Sequence, residues 1–170
     1  MSITEESYPI LHSTEYITIA GIKSIPAKID TGADSSAIWA SNIKIESGGQ
    51  LSFTLFGAGS PFYTGKRIVL NDYTTKAVRS SHGDQQIRYQ VKLQITLRDQ
   101  SYVTSFTLAD RSRNNFPVLI GRHTLKKRFL VDVSKSSVKR KKNSRTPKLR
   151  QELKDNPHKF HQKYIERSEA

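Results

Sequence analysis

The 170-residue chain contains no cysteine. That excludes a disulfide framework and a thiolate metal site. Histidine is sparse: His12, His82, His123, His158 and His161 make up the set, and no His-Glu-x-x-His pattern occurs. His158 and His161 lie close in sequence, but in a basic segment unsuited to holding a metal. No zinc ligand set is legible, and no metal is expected. A glycine-rich phosphate loop is also missing, so no nucleotide cofactor is expected. No apolar run approaches the roughly 20 residues of a membrane helix. Residues 1–13 include Glu5 and Glu6 and lack a basic segment followed by an apolar one. They do not read as a signal peptide, so the cytoplasm is the expected compartment and no membrane partner is expected. No internal repeat is present.

Acidic residues are also in short supply. Lys and Arg number 28 against 15 Asp and Glu, a net charge of +13. The excess is uneven: residues 135–170 hold 12 basic and 4 acidic residues, and residues 1–134 hold 16 and 11. A field of that kind attracts nucleic acid, ribosomes or acidic peptides. The length suits one domain of ordinary size.

Residues 1–14 read as an N-terminal arm, 15–134 as the domain, and 135–170 as a basic C-terminal tail. Within the domain the hydrophobic period is two. Glu15 to Ala20 and Ile22 to Ile29 form a hairpin around Gly21, with Pro26 marking a free edge or an irregularity. Ala37 to Ala40 is apolar and expected to be buried. Asn42 to Glu46 and Leu51 to Phe56 form a second hairpin. Gly57 to Gly65 reads as loop. Lys66 to Leu70, Thr74 to Ser80, Gln86 to Leu97 and Tyr102 to Leu108 read as strands. Val118 to Ile120 is a short buried strand, Arg122 to Arg128 the one helical stretch, and Phe129 to Val133 a last strand. Many short strands with glycine-rich turns predict an all-β barrel with one short helix. Beyond Ser134 the hydrophobic pattern stops. Lys148 to Lys154 and Pro157 to Ser168 have helical potential, but few apolar residues offset the cost of ordering, so a flexible tail is expected.

The chemistry concentrates in Asp30-Thr31-Gly32-Ala33-Asp34, directly after a strand. Asp30 supplies a carboxyl group that can activate water. Thr31 has a hydroxyl able to bond neighbouring backbone and lock a loop. Gly32 permits close backbone approach. The triplet by itself also makes ordinary turns. Two further elements accompany it: the apolar run Phe116 to Ile120 closed by Gly121-Arg122, and Arg79 to Arg88, which reads as a hairpin with its tip at Ser81 to Asp84.

In that order the three elements resemble the retropepsin-like aspartic proteases: catalytic loop, flap, and the apolar-Gly-Arg element. Ala27 to Ala33, Val78 to Gly83 and Leu119 to Arg122 also resemble a bacterial family often labelled "ATP-dependent zinc protease". Its members occur beside ATP-grasp glutamate ligases of the ribosomal S6 modification type. The resemblance covers about Tyr16 to Val133 and leaves out the tail. It implies a retropepsin-like closed β-barrel and, in part of the family, cleavage of glutamate-rich peptides. It does not make the residues support zinc or ATP.

An aspartic protease needs two carboxylates sharing one proton on one water. Only one Asp-Thr-Gly occurs, and neither Asp72-Tyr73-Thr74 nor Asp110-Arg111-Ser112 is a second copy. The second acid must then be Asp30 of another copy, and a homodimer is expected. The resemblance implies catalytic roles for Asp30, Thr31 and Gly32 and an ion pair between Asp34 and Arg122 in a partly buried place. Where the bacterial family's pattern has a basic residue, this chain has Asp34. Ala33, Asp34, Ser81, His82 and Gly83 are expected to line the substrate site; His82 also reads as an ordinary surface histidine. Arg79 and Arg88 read either as clamps for substrate carboxylates or as solvated strand charges. Lys28 is equally open. The leading expectation is a homodimeric aspartic endopeptidase acting on acidic or polyglutamylated peptides. The alternatives are a non-catalytic peptide- or carboxylate-binding module, and a nucleic-acid or ribosome-binding protein acting through residues 135–170. Aromatic residues do not interleave Lys135 to Arg150, so base stacking is not expected there.

Overall fold

The computed structural model describes residues 7–79, 83–139 and 145–166. Ser81 and His82 lie outside the described residues, as do the first six residues of the arm and most of the Lys139 to Lys142 run. The chain forms two compact units, residues 1–138 and 139–170.

The first unit is the expected barrel. β1 is Ile10–His12, β2 Thr14–Ile19, β3 Ile22–Ile29, β4 Ser36–Ile45 and β5 Leu51–Leu55. β6 is Arg67–Leu70, β7 Thr74–Arg79, β8 Gln85–Leu97, β9 Gln100–Ala109 and β10 Val118–Ile120; helix α1 is Arg122–Leu125 and β11 Leu130–Asp132. Alternation places the strands as the sequence pattern predicts: Val91, Leu93, Ile95 and Leu97 point inward from β8, while Lys92 and Gln94 are exposed. The pairings β10–β3, β3–β2, β2–β8, β8–β9, β9–β4 and β4–β10 close a ring of six strands. Closure leaves no free edge along the ring. Phe53, Phe56 and Phe106 are fully buried in the core. β10 pairs with β3 only from Ala27 onward, so Pro26, which has no N–H to donate, sits where that flank of β3 has no β10 partner.

Several expectations need correction. Ile10–His12 is not a free arm: it pairs in parallel with β11. The unit also extends past Ser134, because Ser13 N donates to Lys135 O (2.9 Å) and Ser137 N to Thr14 O (3.0 Å). The Ala37 to Ala40 and Asn42 to Glu46 segments form one strand, β4, bent at Asn42, which has φ +52° and marks a register shift against β5. The helix after Arg122 stops at Leu125 rather than Arg128, because Lys126 already leaves the helical conformation (ψ 129°) and Lys127 follows in the left-handed region at φ +60°. In the second unit α2 spans Arg145–Asp155 and α3 Pro157–Tyr164. Asn156 caps α3 by accepting from Lys159 N (2.9 Å), and Glu152 accepts from Lys163 Nζ (3.0 Å) and Tyr164 Oη (2.8 Å). Among the described residues, no helix is long and apolar enough to cross a membrane.

The corner of the barrel where β1 meets β2 holds a shielded charge. Glu15 is 4% exposed. Its Oε1 accepts from His12 N and from Arg98 Nη2, both at 2.7 Å. Removing the guanidinium leaves the carboxylate with the amide alone. We therefore expect Arg98→Met to lower stability by about 1–3 kcal/mol in urea unfolding. Adding Glu15→Gln, which needs no counter-charge, should recover part of the loss.

Candidate active site

Asp30 stands at the end of β3, where the chain leaves the barrel wall. Its amide donates to Ile120 O at 2.8 Å, so β10 fixes where the residue begins its turn. Its Oδ1 accepts from Gly32 N (3.0 Å), and Ala33 N donates to Asp30 O (3.2 Å). A Cβ on Gly32 would stand 3.3 Å from that Oδ1, a tight approach that the side chain of Asp30 would have to yield to. Oδ2 lies 3.4 Å from Lys28 Nζ, two residues back on the same side of β3. The Asp30 side chain is 26% exposed, open enough to meet a ligand. Thr31 is exposed, and its hydroxyl makes no hydrogen bond among the described residues. The loop is held by its own backbone, not by the Thr31 hydroxyl as the sequence suggested.

The apolar-Gly-Arg element braces this loop from the other side. Arg122 N donates to Ala33 O (2.8 Å) and His123 N to Asp34 O (3.1 Å). Gly121 N donates to Ser36 Oγ (3.0 Å). Ser36 Oγ meets Thr124 Oγ1 (2.7 Å), which meets Thr104 Oγ1 (2.9 Å). Ser36 and Thr124 are buried, so each hydroxyl satisfies the next. Sequence reasoning missed this chain; the only hint is two hydroxyl residues beside motif elements that must be buried.

Arg122 and Asp34 form the expected ion pair. The setting differs from the expectation: the two side chains are 58% and 64% exposed, so the pair is a surface contact within one chain. Its hydrogen bond and charge, with smaller contributions from His123 and Lys76, hold the Asp34 carboxyl below its ordinary value. The pair therefore holds at neutral pH and is lost only as pH falls through that lowered value.

Arg79 is exposed at the end of β7, opposite Gln85. Gly83 turns at φ +87°. Arg88 is half-buried on β8, opposite Lys76, and its Nε donates to Gln86 Oε1 (2.8 Å). Burial holds the Arg88 guanidinium below its ordinary value. One residue that sequence reasoning passed over joins this group. Arg111, in the loop before β10, is lowered by burial and by the charge of Arg88, and drawn upward by the charge of Asp30. Arg111 thus lies within electrostatic reach of both Arg88 and Asp30. Among the described residues no group of three or more His, Asp or Glu side chains could hold a metal ion.

Gly121 is the tightest point of the site. A Cβ there would lie 2.5 Å from Ser35 O and 2.9 Å from Ala33 O, both backbone atoms. Gly121→Ala must push the two motif elements apart, and we expect a loss of about 1–3 kcal/mol in denaturant unfolding. Arg122→Ala should leave the unfolding midpoint of the isolated chain unchanged, because its partner is solvated.

The sequence model of a family described as "RimB-like: Retropepsin-like aspartic endopeptidase RimB" matches residues 10–142. Curated relatives include a "Probable alpha-L-glutamate ligase" of Shewanella pealeana, 30% identical over 123 residues. That match covers 68% of this chain and 26% of the relative. A protein of the same name from Parasynechococcus marenigrum is 26% identical over 132 residues, 72% of this chain and 28% of the relative. The chain thus spans about a quarter of the length of these relatives. Among solved structures, a Legionella pneumophila protein of unknown function superposes with a TM-score of 0.58 at 25% identity, covering 76% of this chain and 97% of that one. With the family match running from β1 past β11, over the barrel and the Asp30 loop alike, the chain belongs to the RimB-like family of retropepsin-like aspartic endopeptidases.

Proposed function

We propose that this chain is an aspartic endopeptidase that works as a homodimer, with Asp30 of each copy facing one water. The observation that carries the reading is the Asp30 carboxyl itself. It is partly open, held by backbone bonds, and has no second Asp-Thr-Gly in its own chain. Brought together about a twofold axis, two such carboxyls hold one proton between them, because both cannot ionise at contact distance. The ionised one takes a proton from water as the water attacks the peptide carbonyl; the protonated one gives its proton to the carbonyl oxygen. Exposed Thr31 beside Asp30 leaves its hydroxyl free for the partner copy.

Acidic or polyglutamylated peptides are the substrates we propose. The domain is basic on balance, and Arg111 stands within electrostatic reach of Asp30. The relatives' name supports the same chemistry, since a domain like this one forms part of chains named as glutamate ligases. To the C-terminal unit we assign a separate role, contact with a ribosome or other nucleic acid, supported by its 11 basic against 4 acidic residues from 139 onward.

Asp30→Asn should abolish cleavage of an oligoglutamate while leaving the unfolding curve intact. Light scattering should give twice the chain mass. A folded Asp30→Asn protein with full turnover, or a fully active monomer, would sink the aspartic dimer; a wild-type protein that binds the peptide without cleaving it would leave a binding module.

Deleting residues 139–170 cuts beyond the 135–138 segment that is bonded into the barrel. The truncated protein should still cleave the short peptide and lose its salt-sensitive affinity for RNA. Unchanged RNA affinity would remove the proposed role of the tail.

A further inference from the structure

We propose that a polar cavity beside the Asp30 loop is a subsite for a side-chain carboxylate of the bound peptide, with Lys76 and Arg128 as its cations. This rests on the peptidase reading and assigns one place, apart from Asp30 itself, where an acidic chain is gripped.

The cavity has a volume of about 400 Å³ and lies where four parts of the fold meet. Ser35 continues the Asp30 loop toward β4. Lys76 and Gln90 come from the paired strands β7 and β8, Ser105 from β9, and His123 and Arg128 from α1 and the turn after it. One side of the wall is the brace of the Asp30 loop. There His123 N donates to Asp34 O (3.1 Å), and the Ser36, Thr124 and Thr104 hydroxyls bond in series. The bonds that fix the Asp30 loop thus also fix this side of the cavity.

The lining is cationic. Lys76, Arg128 and the titratable His123 share it, and among the described residues no acidic side chain does. Lys76 and Arg128 are half-buried, and neither is in a described ion pair. Asp34 feels the charges of Lys76 and His123, but its carboxyl is bonded to Arg122 and does not line the cavity. The Arg128 guanidinium lies over the Tyr102 ring, 4.6 Å from its centre. Stacking of that kind sets the plane of the fork and leaves the N–H groups on its edge able to donate. Neutral donors stand beside the cations. The Ser35 and Ser105 hydroxyls and the Gln90 amide make no hydrogen bond among the described residues, so each can serve an anionic oxygen.

Size and position favour a peptide side chain as the occupant. A volume of about 400 Å³ falls among pockets that hold part of an organic ligand, and one small ion would leave much of it unfilled. The cavity is bounded by the Asp30 loop through Ser35 and by the β7–β8 hairpin through Lys76 and Gln90. A peptide held between loop and hairpin runs past it, and an acidic side chain can turn in while the backbone stays over Asp30.

The test uses the full chain and two matched hexapeptides in which Ala alternates with Glu or Gln. Calorimetry on Asp30→Asn protein reads binding without turnover, and the Glu peptide should bind more tightly than the Gln peptide. Lys76→Gln loses no described hydrogen bond, so the unfolding midpoint should stay in place. The Glu-over-Gln affinity ratio should fall about tenfold, the scale of one charge-assisted contact. Arg128→Gln should lower the same ratio. Equal losses on both peptides would mean that these residues only shape the wall, and would overturn the subsite; so would an unchanged ratio. Inorganic phosphate separates a free-anion site from a peptide subsite. Saturable phosphate binding that Lys76→Gln abolishes, with a peptide ratio indifferent to Lys76, would overturn the proposal. Turnover by the wild type decides the peptidase reading separately. A wild type that cleaves neither peptide, with a ratio still dependent on Lys76, would keep the subsite and remove the peptidase. Cleavage with a ratio indifferent to Lys76 would keep the peptidase and remove the subsite.

Discussion

The site depends on one close approach. Gly121 lies against the backbone of Ala33 and Ser35, with no room between them for a side chain. That contact lets Arg122 N and His123 N reach Ala33 O and Asp34 O, and lets Gly121 N reach Ser36 Oγ. Two loops that are distant in sequence become one rigid piece of backbone. Nothing in it relies on a large side chain, so the piece stays firm while the carboxyl it carries remains open to solvent. Reactive groups need this combination of a fixed base and an accessible tip.

Charge is distributed around this piece with a clear division of labour. Lys28 faces Asp30, Arg122 faces Asp34, and Arg98 faces Glu15, so most of the domain's shielded or motif-bound carboxylates have a cation. Arg88, Arg111 and Arg128 are half-buried and lie in no described ion pair; Arg128 stacks over the Tyr102 ring at 4.6 Å, and Arg111 feels the charges of Arg88 and Asp30.

The barrel was legible because its strands alternate, and alternation is a local property. β3 and β8 could be bounded within a residue or two from the inward Ile25, Ala27, Ile29 and Val91, Leu93, Ile95, Leu97. Asp30 and Gly121-Arg122 were legible because the residue types at a carboxylate-bearing turn and at a close contact are chemically restricted. What stayed hidden depends on partners far along the chain. β1 is three residues long and becomes a strand only beside β11. Ser36 and Thr124 look like ordinary polar residues until the fold buries them together. Arg111 sits in a polar loop, and the charges that act on it, those of Arg88 and Asp30, come from distant parts of the chain. The end of α1 was misjudged because a left-handed lysine, Lys127, has no sequence mark as plain as glycine.

The parallel pairing of β1 with β11, together with the bonds from Ser13 and Thr14 to residues 135–138, has a consequence for how this domain can be used. The first and last strands of the barrel unit lie side by side. A body with adjoining entry and exit can be hung from another protein as a pendant, because the host needs only a narrow gap to accept it. Joining it to something larger leaves the opposite end of the barrel unobstructed. Domains of this kind can be moved between longer chains as intact units, and a fold that occupies about a quarter of its curated relatives has the connectivity such reuse requires.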